Sequence, residues 1–310
     1  ARQCQWAPSF LNRRLTNQVT KRSLSFQYDD KVAVITGAAS GFGHAFAKRA
    51  LKENMKLVLA DLNYDALVEK TKELDVPTDR VVLRQVDVSK EEDIESLANA
   101  AFDTFGGVHL LFNNAGVAHA QLSWEHTADD WKWVLGANLW SVIHAHRIFI
   151  PRMIKQSSSS HIINTASAAG LASLPGAAAY NVSKHGVVTM SETLFNEFRD
   201  CGITNVGVSV LCPAFVPTKI AESVRPTEFA DTKQHSEDGL KYAQNMLLAV
   251  KSGKKTADDI AEETFAAIDA GQLYILPHKH KIGPLVMSRA DDIAHERNPT
   301  DGGLFGPPKK

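Results

Sequence analysis

From residue 31 onward the chain alternates short apolar, β-branched runs with segments of helical apolar spacing, and this alternation constrains the fold more than any other feature. The runs are "KVAVIT" (31–36), "KLVLADL" (56–62), "RVVLRQVDV" (80–88), "HLLFNNAG" (109–116), "HIINTAS" (161–167), "NVGVSVLCP" (205–213) and "LYILP" (273–277). Stretches such as "HAFAKRALKEN" and "EEDIESLANAAFDTFG" lie between them. Nearly continuous apolar strands are those buried on both faces, and a helix between consecutive strands makes them parallel. With right-handed crossovers, the pattern predicts an α/β protein: a doubly wound, seven-stranded parallel sheet with helices on both faces.

The domain organisation follows from what interrupts this pattern. Residues 1–28 carry Arg2, Arg13, Arg14, Lys21 and Arg22 and no acidic residue before Asp29. They read as a basic, flexible extension, with an organelle transit peptide and matrix location as the alternative to a cytoplasmic protein. Residues 29–282 form one domain, and its segment 217–255 is a possible lid over a substrate pocket. The tail 283–310, ending in "GGLFGPPKK", is expected to fray. Basic and acidic residues nearly balance, 34 against 35, which supplies no field for steering a phosphate backbone and argues against nucleic acid as a partner. No apolar run approaches the length of a membrane span. Three widely spaced cysteines, Cys4, Cys201 and Cys212, resemble neither a disulfide framework nor a zinc site and suit a reducing compartment.

The first strand runs straight into "TGAASGFG" and then a helix. Gly37, Gly41 and Gly43, with Ser40 and Phe42 between them, form a turn whose backbone N–H groups can approach a pyrophosphate at the positive end of a helix. The second strand ends at Asp61, where a dinucleotide fold places the carboxylate that bonds the adenosine ribose. No Arg or Lys follows to receive a 2′-phosphate, so the reading favours NAD over NADP. "AYNVSKHG" (179–186) poses a choice between two chemistries. Asn181-Val182-Ser183 matches a glycosylation acceptor, whereas Tyr180 and Lys184, four apart, share one helix face. A nearby ammonium and an oxidised nicotinamide would lower the tyrosine pKa from its usual value near 10 and make it a usable base.

These motifs, in this order, resemble those of the short-chain dehydrogenase/reductase family over about residues 30–280. The glycine spacing is TGxxxGxG, Tyr180 and Lys184 form YxxxK, and the expected fold is Rossmann-like. The resemblance implies a catalytic set of Asn138, Ser167, Tyr180 and Lys184, with Asn138 positioning a water for a relay from Lys184 and Ser167 holding the substrate oxygen. It implies an adenine pocket at Asp87 and Val88, a cofactor cleft lined by Asn114, Ala115 and Gly116, and nicotinamide contacts from Tyr180, Lys184, Pro213, Val216 and Thr218. Ala214 stands where the family usually has glycine, a departure that touches local backbone shape. The sequon is then accidental. The implied activity is NAD-dependent interconversion of a secondary alcohol and a ketone, with an NADP-dependent carbonyl reductase and a non-catalytic dinucleotide sensor as alternatives.

Substrate contacts are expected by position from His119, Trp124, Ala169, Leu171 and Phe215, suggesting a rather apolar alcohol or ketone. "HAH" (144–146) and "HKH" (278–280) lack a third ligand, so no metal is expected. The family resemblance also implies a homo-oligomer, a dimer or tetramer.

Overall fold

The computed structural model describes residues 26–223 and 236–299. The proposed extension 1–28 falls outside these residues except for its end. There Phe26 N–H and the Tyr28 hydroxyl both donate to Asp269 Oδ1, and the Tyr28 ring lies tilted against Phe265 with centroids 5.4 Å apart. The folded domain therefore begins slightly earlier than the sequence indicates.

All seven expected strands form: β1 Val32–Thr36, β2 Lys56–Asp61, β3 Val81–Gln85, β4 Leu110–Asn113, β5 Ser160–Thr165, β6 Val206–Leu211 and β7 Tyr274–Ile275. They make one sheet in the order β3-β2-β1-β4-β5-β6-β7, with every pairing parallel. The nine helices among the described residues are α1 Gly41–Lys52, α2 Tyr64–Lys72, α3 Glu91–Phe105, α4 Ala128–Leu135, α5 Ser141–Lys155, α6 Ala178–Asp200, α7 Glu237–Lys251, α8 Ala257–Asp269 and α9 Lys279–Ala294. Strand order reverses between β1 and β4, which opens a crevice at the carboxyl ends of the strands.

Side chains alternating along each strand feed two cores. Ala33 and Ile35 of β1 face one core, where Phe46 of α1, Phe112 and Phe265 of α8 stack with centroids 4.6 and 5.9 Å apart. Val32 and Val34 face the other, against Leu97 of α3, Phe149 of α5 and Phe198 of α6. Burial of each large side chain contributes roughly 1.5–3 kcal/mol, so the two cores fix the strand register on which the crevice depends.

A second boundary also differs from expectation. Helix α9 crosses the point at which the tail was expected to begin: Ile282 is buried and anchors a helix that continues through Gly283 and Pro284 to Ala294. Packing overrides two residues that read as breakers. Cys201 is disulfide-bonded, which the cysteine spacing did not suggest. No helix among the described residues is long and apolar enough to cross a membrane.

Candidate active site

The turn after β1 holds Gly37 and Gly41 at φ +66° and +52°, values that L side chains rarely adopt. Ser40 occupies the N-cap position of α1 in extended backbone but its side chain makes no capping hydrogen bond, and the first turn of α1 carries no acidic residue. By contrast α4 and α8 close their N-termini with Thr–Asp capping boxes. The positive end of α1 is thus left to an anion from outside the chain. Gly43 points elsewhere: a Cβ there would lie 2.1 Å from the Gly37 carbonyl oxygen. It lets helix and turn close on each other and does not line the cavity, in contrast to the cofactor contact expected of it.

Asp61, at the end of β2, accepts from Ala39 N–H through Oδ2 and from Asn63 N–H through Oδ1, both at 3.0 Å. Its carboxylate therefore braces the glycine turn while still facing the cavity. Asp87 accepts from Ser89 N–H and the Ser89 hydroxyl at 3.0 and 2.7 Å. Asn114 Nδ2 donates to the Thr36 carbonyl at 3.0 Å, and Thr36 Oγ1 accepts from the N–H groups of Asn114 and Ala115. These bonds tie the crevice wall to β1.

At the other end, α6 carries Tyr180 and Lys184 one turn apart. Lys184 is 2% exposed; its Nζ donates to the Thr165 carbonyl at 2.9 Å, and burial pushes its pKa down to about 8. Burial raises the Tyr180 phenol above its ordinary value and outweighs the opposing effect of the nearby Ser167 hydroxyl. This reverses the lowering expected from Lys184, whose Nζ stands 5.7 Å from the Tyr180 ring centroid. Asn138 sits in a π-helical turn, Gly136–Trp140, between α4 and α5; such turns recur at functional sites. Its Oδ1 accepts from Val117 N–H at 2.8 Å, and its Nδ2 donates to the Val117 carbonyl and Ser183 Oγ. With its side chain so engaged, any part in a relay falls to its backbone or to the loop it holds.

Both ends open into one cavity of about 950 Å³. Gly37, Ser40, Gly41, Phe42, Asp61, Asp87, Val88, Asn114, Ala115 and Gly116 line it, as do Ser167, Tyr180, Lys184, Pro213, Val216 and Thr218. Of the expected substrate residues, Trp124 and Phe215 line it; His119, Ala169 and Leu171 do not. Ala169 is fully buried in the 3-10 turn after Ser167, and Leu171 packs against buried Val142, Val187 and Val188. His119 Nε2 turns to Asp130 Oδ1 at 3.4 Å.

The other sequence candidates have structural partners. Asn181 is buried with Nδ2 donating to the Leu174 carbonyl at 2.8 Å, so the sequon asparagine is not presented to solvent. His146 bonds Asn164, His144 stands 3.4 Å from Glu91, and His278 Nδ1 accepts from Ala214 N–H, bracing the position where alanine replaces glycine. Residues that sequence reasoning missed include a row on α7: Lys241, Tyr242, Asn245 and Met246 line the cavity. Their i, i+1, i+4, i+5 spacing was a readable signal of one helix face, although residue types alone gave that face no target.

A family profile described as short chain dehydrogenase matches residues 31–228. A Lactiplantibacillus plantarum protein named CLA biosynthesis dehydrogenase/reductase is 34% identical over 277 residues, 88% of this chain and 96% of that protein. The 3beta-hydroxysteroid dehydrogenase 2 of Eggerthella lenta is 32% identical over 243 residues, 78% of this chain and 89% of its own. Among solved structures, a short chain dehydrogenase/reductase from Burkholderia phymatum in complex with NAD is 46% identical, with a TM-score of 0.86 over 89% of this chain and 98% of that one. On the motifs, the sheet and these matches, the chain belongs to the short-chain dehydrogenase/reductase family of oxidoreductases.

Proposed function

We propose that the protein is an NAD-dependent oxidoreductase interconverting a secondary alcohol and a ketone, with Tyr180 as general acid/base. The observation that carries this reading is the convergence of Ser167, Tyr180 and Lys184 at one end of a cavity whose other end is an uncapped helix N-terminus. Gly37, Ser40 and Gly41 would hold the pyrophosphate, Asp61 the adenosine ribose, and Lys184 the nicotinamide ribose. Asp61 favours NAD because a carboxylate there repels a 2′-phosphate. The similar Burkholderia phymatum structure holding NAD supports the same choice. The dinucleotide supplies hydride exchange and, when oxidised, a positive ring.

The chain's own residues supply binding and the proton. Ser167 holds the substrate oxygen beside Tyr180. In carbonyl reduction the Tyr180 hydroxyl, kept protonated by burial, donates to that oxygen. In alcohol oxidation it must lose its proton, so Tyr180 is a base only when further positive charge stands beside it. Lys184, with a pKa near 8, can carry a proton at neutral pH and release it slightly above, which suits a relay partner. Trp133, Leu174, Phe215 and Met246 give the substrate side an aromatic and aliphatic lining, which supports a sizeable apolar body. Exposed Trp140, on the π-helical turn before α5, and exposed Val182 and Phe195 on α6 suit a homo-oligomer.

The test is NADH or NADPH formation with aliphatic, cyclic, aromatic and steroid-like secondary alcohols, NAD and NADP run in parallel. NAD-dependent turnover of any class supports the proposal. Turnover with NADP alone overturns the cofactor reading, and silence across the panel with both cofactors overturns the activity.

A further inference from the structure

Helix α7 turns an unusual face to the cavity. Asp238, Lys241, Tyr242 and Asn245 fall at i, i+3, i+4 and i+7 and all line it. None of the four side chains makes a hydrogen bond or ion pair with the described residues, although every one carries a charge or a polar group. Leu240 and Leu248 do not contribute to the lining and are 47% and 64% exposed. A helix recruited only to cover an apolar pocket would place these types the other way round.

The row is held in place by close backbone contacts. A Cβ at Gly176 would lie 2.4 Å from Tyr242 Cγ, so the Tyr242 ring rests against the segment that leads into α6 and Tyr180. Gly239, in the first turn of α7, lies against the Glu125 carboxylate, and Gly253, just past its end, leaves no room for a Cβ beside the Phe215 carbonyl. Three glycines thus dock α7 on three different loops of the cavity rim. The Tyr242 ring is half-buried against this rim, while Asp238, Lys241 and Asn245 stand exposed at the cavity mouth, open to a ligand.

Resting on the alcohol–ketone reading of the site, we propose that the substrate is an amphipathic hydroxy or keto acid, its apolar body against the aromatic walls and its carboxylate received by Lys241. Tyr242 and Asn245 flank the cation on the same helix face and donate to the same group. Lys219, on the turn after β6, lines the cavity without an ion pair and adds a second positive charge, against the one carboxylate of this face, Asp238. A ligand that covers Lys241 removes water from the pair and strengthens it beyond an open surface contact.

The experiment compares secondary alcohols as free acid and methyl ester: ricinoleate, lithocholate and hydroxycyclohexanecarboxylate. Turnover is measured on the full chain, and binding is read from tryptophan fluorescence in the presence of NADH. The expected result is that at least one acid exceeds its ester about tenfold in kcat/KM, mostly through KM, a factor equivalent to 1.4 kcal/mol. Lys241→Gln should bring that ratio toward one, Lys241→Arg should restore it, and added salt should narrow it. Esters used as well as acids, or an acid-to-ester ratio unchanged in Lys241→Gln, would overturn the inference and leave the alcohol–ketone reading standing. If no acid, ester or neutral alcohol binds or turns over with either cofactor, that reading falls and takes the inference with it.

Discussion

Asp61 engages both carboxylate oxygens with backbone N–H groups, at Ala39 and Asn63, and still faces the cavity. It braces the glycine turn and, on the proposed cofactor reading, would also be the charge that sorts ribose hydroxyls from a phosphate. Asp61→Ala should narrow the preference for NAD over NADP by about tenfold or more in kcat/KM, since a charge-assisted hydrogen bond is worth roughly 1.5–3 kcal/mol. An unchanged ratio would place the ribose contact elsewhere. Contiguous motifs drew the eye to such residues, and Tyr180, Lys184, Asn114 and Gly41 all line the one cavity. Ala169 and Leu171 were misread because a position after a strand end does not say which way its side chain turns, and here both turn inward. The sign of the Tyr180 shift was also unreadable, because burial is a property of the packed site and outweighs a lysine one turn away.

At the scale of elements, the turn from β1 into α1 is the part most strictly shaped by sequence. Gly43→Ala places a Cβ against the Gly37 carbonyl, and backbone must shift because no flexible side chain can yield. The expected cost is about 1–3 kcal/mol, with loss of NAD binding because the anion-binding N–H groups move with the turn. Thermal unfolding and an NAD titration on the same preparation check both effects; wild-type values in both would contradict this account. Strands were legible because each reads as a near-continuous apolar run. Helix α9 was not, because Gly283 and Pro284 signal an end that the burial of Ile282 overrides. The role of α7 was half legible: its spacing shows a face, but only the folded rim shows what the face meets.

For the whole molecule, three histidines are built in as neutral groups. Burial brings His109, His146 and His161 down to about 4 from the ordinary 6.5. Their folded pKa values lie below the unfolded ones, so the unfolded chain binds more protons between pH 6.5 and 4. Stability should thus be complete above the unfolded value and fall steadily as pH drops through that window. His146 and His161, the most buried, account for roughly 3 kcal/mol each. Denaturant unfolding across the window, repeated on His161→Gln, measures the slope; the variant should lose about one proton of it, and equal slopes would contradict the assignment. The same buried architecture sets the function, since one cavity joins the glycine turn to the Ser167–Tyr180–Lys184 end. The most direct measurement on that claim pairs alcohol-dependent NADH formation with NAD affinity for wild type and Tyr180→Phe. The account predicts a loss of turnover of about 10²–10⁴-fold with NAD affinity nearly unchanged. Near-normal turnover in the variant would contradict it.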